Sequence, residues 1–108
     1  MSEQLQKKLE EAVRLLVQAC HPERIILFGS FARGTQDEGS DIDIMIIEKS
    51  VANKADEIVR LCRVVSPLRL PVDILVVDSE TFRVWSQTPG TVHHEASTDG
   101  KILYAEAA

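Results

Sequence analysis

The sequence predicts an α+β fold formed by a single domain over residues 1–108. Two stretches space their apolar residues by three and four, the mark of amphipathic helices. Three short apolar runs, rich in Ile and Val and bounded by Gly, Pro or Asp, read as buried strands. The link between the first two runs is too short for a crossover helix, so those strands are expected to be antiparallel neighbours. A length of 108 residues also sits near the common size of one domain.

From Ser2 to Cys20, the positions Leu5, Leu9, Ala12, Val13, Leu16 and Cys20 keep helical spacing, and Pro22 stops the helix. Arg24 to Phe28 is the first strand, closed by Gly29. The segment Gly29-Ser30-Phe31-Ala32-Arg33-Gly34 is a turn with room for one helical turn, and the polar loop Thr35 to Ser40 leads into a second strand at Ile42–Ile47. From about Asn53 to Val65, Ala55, Ile58, Leu61, Cys62 and Val65 define a second main helix that Ser66-Pro67 ends. A third strand, Val72–Val77, follows Pro71, which is tolerated at a strand's beginning. Asp78 or Ser79 then caps a helix running to about Gln87, with Phe82 and Trp85 expected in the core. After Pro89-Gly90 come a short helix around Val92–Ala96 and an edge strand at Ile102-Leu103-Tyr104.

Composition narrows the function. Twelve basic against seventeen acidic residues give a net charge of -5, which opposes the phosphate-driven attraction behind binding to long nucleic acids. No stretch approaches the ~18 apolar residues of a membrane-spanning helix. The polar start Met1-Ser2-Glu3-Gln4 is unlike an export signal, so a cytoplasmic location is expected. Cys20 and Cys62 fall on apolar helix positions and read as small buried thiols. The adjacent His93 and His94 point about 100° apart on a helix, do not form a zinc pair on one face, and are expected at the surface.

Strand side chains alternate, so Asp41 and Asp43 share one face of the second strand while Ile42, Ile44 and Ile46 take the other. Asp73 interrupts the third strand near its start, where it reaches the same sheet end. Three acids in one patch repel unless a cation joins them, and magnesium, which binds through one or two carboxylates plus substrate phosphates, is the natural partner. Taken singly, each acid reads more readily as structural, Asp41 as a cap of the loop and Asp43 and Asp73 as solvated strand-end residues. Upstream, Gly29 permits a tight exit from the first strand, Ser30 and the following N–H groups can form a phosphate nest, and Gly34 adds a second flexible point, although a Gly-Ser turn by itself usually means only a turn.

The spacing Gly29-Ser30, ten residues, Asp41-Ile42-Asp43 resembles the signature of the DNA polymerase beta superfamily of nucleotidyltransferases. The fuller string, Gly29 to Gly34 followed by Ser40-Asp41-Ile42-Asp43, is similar to the minimal nucleotidyltransferase branch, and the likeness runs to Gly100-Lys101-Ile102-Leu103-Tyr104. That resemblance implies a mixed sheet with core strand order 1-2-3 and helices mainly on one face. It implies Asp41 and Asp43 as catalytic ligands for two Mg2+ ions, Asp73 as the third carboxylate, a metal ligand or a general base, and Gly29 and Ser30 as contacts for an ATP substrate; Arg33 and Ser40 stand as further candidates for the nucleotide. Arg33 reads equally well as a solvated turn residue.

Larger superfamily members carry extra domains that grip the acceptor, so here the acceptor is expected on another chain. The resemblance implies a HEPN-domain toxin as partner and an antitoxin that adenylylates it. Two alternatives stay open: a module that neutralises the partner by binding alone, and an antibiotic adenylyltransferase whose substrate domain lies on another chain. The acceptor, the base of the nucleotide and the oligomeric state are not legible.

Overall fold

The computed structural model describes residues 1–107. Their elements run α1 (Glu3–Cys20), β1 (Arg24–Phe28), α2 (Ser30–Arg33), β2 (Ile42–Glu48), α3 (Lys54–Val65), a 3-10 turn (Ser66–Leu68), β3 (Val72–Asp78), α4 (Ser79–Trp85), α5 (Val92–Asp99) and β4 (Lys101–Ala105). The helices other than α2 all begin at a side chain that accepts from an otherwise unpaired N–H. Ser2 Oγ accepts from Leu5 at 3.1 Å, Asn53 Oδ1 from Asp56 at 3.0 Å, Asp78 Oδ1 from Thr81 at 2.7 Å, and Thr91 Oγ1 from His94 at 3.1 Å. Asn53→Ala removes one such cap and is expected to cost about 1 kcal/mol in chemical denaturation.

The four strands form one sheet in the order β3-β2-β1-β4. β1 runs antiparallel to both β2 and β4, while β2 and β3 are parallel and in register from Ile42↔Val72 to Glu48↔Asp78. The sheet is therefore mixed, with its first three strands in order 1-2-3. A parallel return needs a long crossover, and α3 with its 3-10 turn supplies it.

Helices cover both faces, a correction to the expectation of one. Ile42, Ile44 and Ile46 of β2 pack with Leu9, Ala12 and Leu16 of α1 and Leu61 and Val65 of α3. The alternate residues Met45 and Ile47 pack with Val77, Phe82 of α4 and Ala96 of α5. β2 thus reads as a continuous apolar run because it is buried on both sides. Asp43 stands on the α4/α5 side, at the end of the row that continues into Met45 and Ile47. Phe82 is buried as expected and carries Arg24 over its ring at 5.0 Å, but Trp85 is 48% exposed on the outer side of the same short helix. Cys20 is half-buried and Cys62 is exposed, so only one of the two thiols approaches the interior. Among the described residues, no helix is long and apolar enough to cross a membrane.

At the far end of β2, Glu48 is, among the described residues, the buried charged residue of the core, 8% exposed. Burial and the neighbouring Glu57 push its carboxyl up to about 7, against the pull of Arg60; burial likewise pushes the Cys20 thiol up to about 12. A carboxyl raised in the fold binds more protons there than in the unfolded chain, so stability falls as pH rises through 7. Glu48→Gln is therefore expected to stabilise the metal-free protein at about pH 8, with the gain fading toward pH ~5, as thermal unfolding would measure.

Candidate active site

The residue that follows β1 is a glycine because the backbone there requires one. Gly29 adopts φ 73°, ψ -155°, a backbone conformation essentially reserved for glycine. Its Cα hydrogen faces Asp43, and a Cβ built there would overlap Asp43 Oδ2. The same residue starts α2: Ala32 and Arg33 N–H both donate to Gly29 O at 3.1 Å. The first-turn N–H groups of Ser30 and Phe31 lie ahead of any helical acceptor. The strand-turn-helix exit and the Asp43 carboxylate are thus in direct contact.

Asp43 is flanked within the sheet by Phe28 of β1 and by Asp73 of β3, its direct register partners. In-register neighbours send side chains to the same face, so the Asp43 and Asp73 carboxylates stand side by side. Asp41 lies just before β2 rather than within it, and Ile42 N–H donating to Pro71 O at 2.7 Å ties that approach to the entry of β3. Asp41 and Asp73 are exposed and Asp43 is half-buried. Burial, and then the charges of Asp73, Asp41 and Glu95, hold the Asp43 carboxyl above its ordinary range, with Arg33 pulling the other way. A carboxyl raised first by burial and then by gathered negative charge would be held ionised by a hard divalent cation. The oxygens of the three aspartates do not all lie within 4.8 Å of one another; the group that does meet that limit is Cys20, Glu48 and Glu57, at the other end of β2. Cations at the aspartate site would therefore be held by fewer carboxylates each, with phosphate oxygens completing the shell.

The remaining candidates have other work. Arg33 pairs with Glu95 of α5 at 3.3 Å, both about two-fifths exposed. Exposed pairs contribute little, so Arg33→Ala is expected to lower stability by less than about 1 kcal/mol in denaturant unfolding. Ser40 Oγ donates to Asp37 Oδ1 at 3.1 Å and accepts from Asp37 N–H at 2.9 Å, and Gly39 N–H donates to the same carboxylate at 3.0 Å. Ser40 thereby shapes the loop delivering Asp41. His93 is half-buried rather than a surface residue: its Nδ1 is buried with no partner, and burial followed by the Lys54 charge lowers its pKa. Glu95 is the participant that sequence reasoning missed. No local signal announces it, because it reaches the site only through the packing of α5 against β1.

A mixed sheet in the order β3-β2-β1-β4, with a glycine exit beside aspartates on two neighbouring strands, defines a nucleotidyltransferase-type α+β domain. The chain belongs to that family: the model described as "Nucleotidyltransferase domain" matches residues 6–97. Among curated relatives, Methanocaldococcus jannaschii "Putative protein adenylyltransferase MJ0604" is 32% identical over 82 residues, covering 75% of this chain and 77% of that protein. The similarly named MJ0141 of the same organism is 39% identical over 54 residues, half of this chain, and the match spans 54% of the length of that protein. Among solved structures, a chain of a toxin-antitoxin complex with AMP-PNP superposes with a TM-score of 0.58 at 26% identity, over 90% of this chain and 73% of that one. A chain from the complex of tri-AMPylated Shewanella oneidensis HEPN toxin with MNT antitoxin shares the fold, with a TM-score of 0.58 at 21% identity over 94% and 73%.

Proposed function

We propose that this chain transfers AMP from ATP to a hydroxyl on a protein, and that the acceptor is a HEPN-domain toxin which the transfer disarms. The observation that carries the reading is the placement of Asp43 and Asp73 side by side in adjacent parallel strands, with Asp43 packed over Gly29. The protein adenylyltransferase names of the two relatives, and the nucleotide analogue in the toxin-antitoxin neighbour, support the direction of the chemistry.

Divalent metal at Asp41, Asp43 and Asp73 would neutralise phosphate charge and favour ionisation of the acceptor hydroxyl. Asp41 and Asp43 are assigned to holding metal and triphosphate in line. Asp73 holds metal or accepts the acceptor's proton, being the more exposed member of the register pair. Gly29 and the N–H groups opening α2 cradle phosphate oxygens. The O–P bond to the acceptor forms as the bond to pyrophosphate breaks, and the hydroxyl proton passes to Asp73 or to solvent.

The test is co-expression with a HEPN-domain protein, followed by intact-mass measurement of that partner. Added AMP with wild type and none with Asp41→Asn supports the assignment. If Asp41→Asn silences the toxin as well as wild type and no AMP is found, the chain acts by binding alone.

A further inference from the structure

Away from the aspartates, three ligand atoms from three different elements converge. Cys20 Sγ at the end of α1, a Glu48 carboxylate oxygen at the end of β2 and a Glu57 carboxylate oxygen on α3 all lie within 4.8 Å of one another. On the α1/α3 side of the sheet, Glu48 is roughly 17 Å along the strand from Asp43 at ~3.3 Å per residue. It is a separate place in the fold.

Glu48 supplies an observation independent of the clustering. It is 92% buried, and its Oε2 is sealed from solvent with no hydrogen-bond partner. A carboxylate only accepts, so an unpartnered buried oxygen calls for a proton or a cation. The nearby guanidinium does not meet that need. Arg60 places Nε on Glu57 Oε1 at 2.8 Å, Nη2 on Glu57 Oε2 at 2.9 Å and Nη1 on the Ala19 carbonyl at 3.0 Å, with no ion pair to Glu48.

We propose that Cys20, Glu48 and Glu57 form a binding site for one zinc-class divalent cation that staples α1, β2 and α3 together. A mixed sulfur and carboxylate donor set suits zinc and excludes magnesium and calcium, which take oxygen alone. Charge balances: a thiolate and two carboxylates carry -3, Arg60 returns +1, and the ion's +2 brings the group to neutrality. Bonds of about 2.3 Å to sulfur and 2.0–2.2 Å to oxygen require separations of at most 4.8 Å to close by no more than roughly an ångström, within reach of side-chain rotation. Cys20 Sγ now donates to the Leu16 carbonyl at 3.2 Å; on binding, that S–H bond and the O–H bond of a protonated Glu48 break, sulfur–metal and oxygen–metal bonds form, and both protons leave to solvent. A cavity of about 350 Å³ lined by Glu48, Asn53, Asp56, Glu57 and Arg60 gives entry from the side of the two carboxylates and room for a water as fourth ligand, with Cys20 behind its wall.

Cobalt(II) tests the site, because thiolate ligation produces a near-ultraviolet charge-transfer band that carboxylates cannot. The Asp41→Asn, Asp43→Asn protein serves as background, which removes the other metal candidate. The expected result is a stoichiometric band abolished by added zinc, lost in Cys20→Ser, kept in Cys62→Ser and weakened at least tenfold in apparent affinity by Glu48→Gln. Zinc should also raise the melting temperature of the background protein but not of its Cys20→Ser form, which keeps the side chain's size. Absence of the band, its survival in Cys20→Ser, or a zinc shift indifferent to Cys20 would overturn the proposal and leave Glu48 neutralised by a proton alone.

Discussion

Asp43→Asn is expected to reduce AMP transfer at least a thousandfold, on the order of 4 kcal/mol of transition-state stabilisation, while making the folded protein more stable. The two effects have one cause. Asp43 is half-buried and is also crowded by Asp73, Asp41 and Glu95, so its charged form is disfavoured in the fold and its pKa is raised. Asparagine keeps the shape and removes the charge, relieving that crowding at neutral pH. The folded carboxyl binds protons more readily than the unfolded one, so the stability gain should shrink as pH falls from neutral toward the ordinary aspartate range and be gone below it. The charge that burdens the fold is the charge a metal and triphosphate need. Steady-state transfer rates and urea denaturation on one preparation would read both signs. A variant that lost activity together with stability would place Asp43 among residues kept for folding.

Gly29→Ala should produce the second large effect. The new methyl group meets Asp43 Oδ2, and the backbone at φ 73°, ψ -155° is strained for any residue with a Cβ, at about 1–3 kcal/mol. The carboxylate is the end of a short side chain, so the overlap resolves by moving Asp43 off its position. Transfer is then expected to fall nearly as far as in Asp43→Asn, although no charge has changed. Gly34→Ala is the control. Gly34 also has a positive φ of 75°, but a Cβ there meets nothing within 4 Å. It should cost about 1 kcal/mol of backbone strain and leave transfer intact. Equal losses in the two variants would dissolve the link between Gly29 and Asp43.

Much of the layout was legible because it is local. Helical spacing located α1 and α3, the apolar runs located β1 to β3, and the short β1–β2 link gave the antiparallel pairing. The cap at Asp78 was readable for the same reason. What escaped depends on contacts between distant segments. The covering of the second sheet face by α4 and α5 was hidden because β2 is apolar on both sides and offers no alternation to interpret. Trp85 and Cys62 were misplaced because helical spacing says which residues share a face, not how far a short helix's apolar face extends beyond its contact. At the candidate site, the placement of Asp43 beside Asp73 followed from alternation together with the strand order that the family resemblance implied. The Arg33–Glu95 pair and the Gly29–Asp43 contact arise from how α5 and the β1 exit fold back, which no spacing encodes.

The central claim is that the aspartates at the head of β2 and β3 work as a metal-dependent transfer site. Its most direct measurement is incorporation of label from α-labelled ATP into protein, with magnesium and with excess chelator. Wild type would be compared with the Asp41→Asn, Asp43→Asn double variant, with and without a co-expressed HEPN-domain protein. Label on the HEPN protein that vanishes with chelator and in the variant is the predicted result. Label that persists in the double variant, or no label on any protein while both forms still bind the HEPN protein tightly, would contradict it.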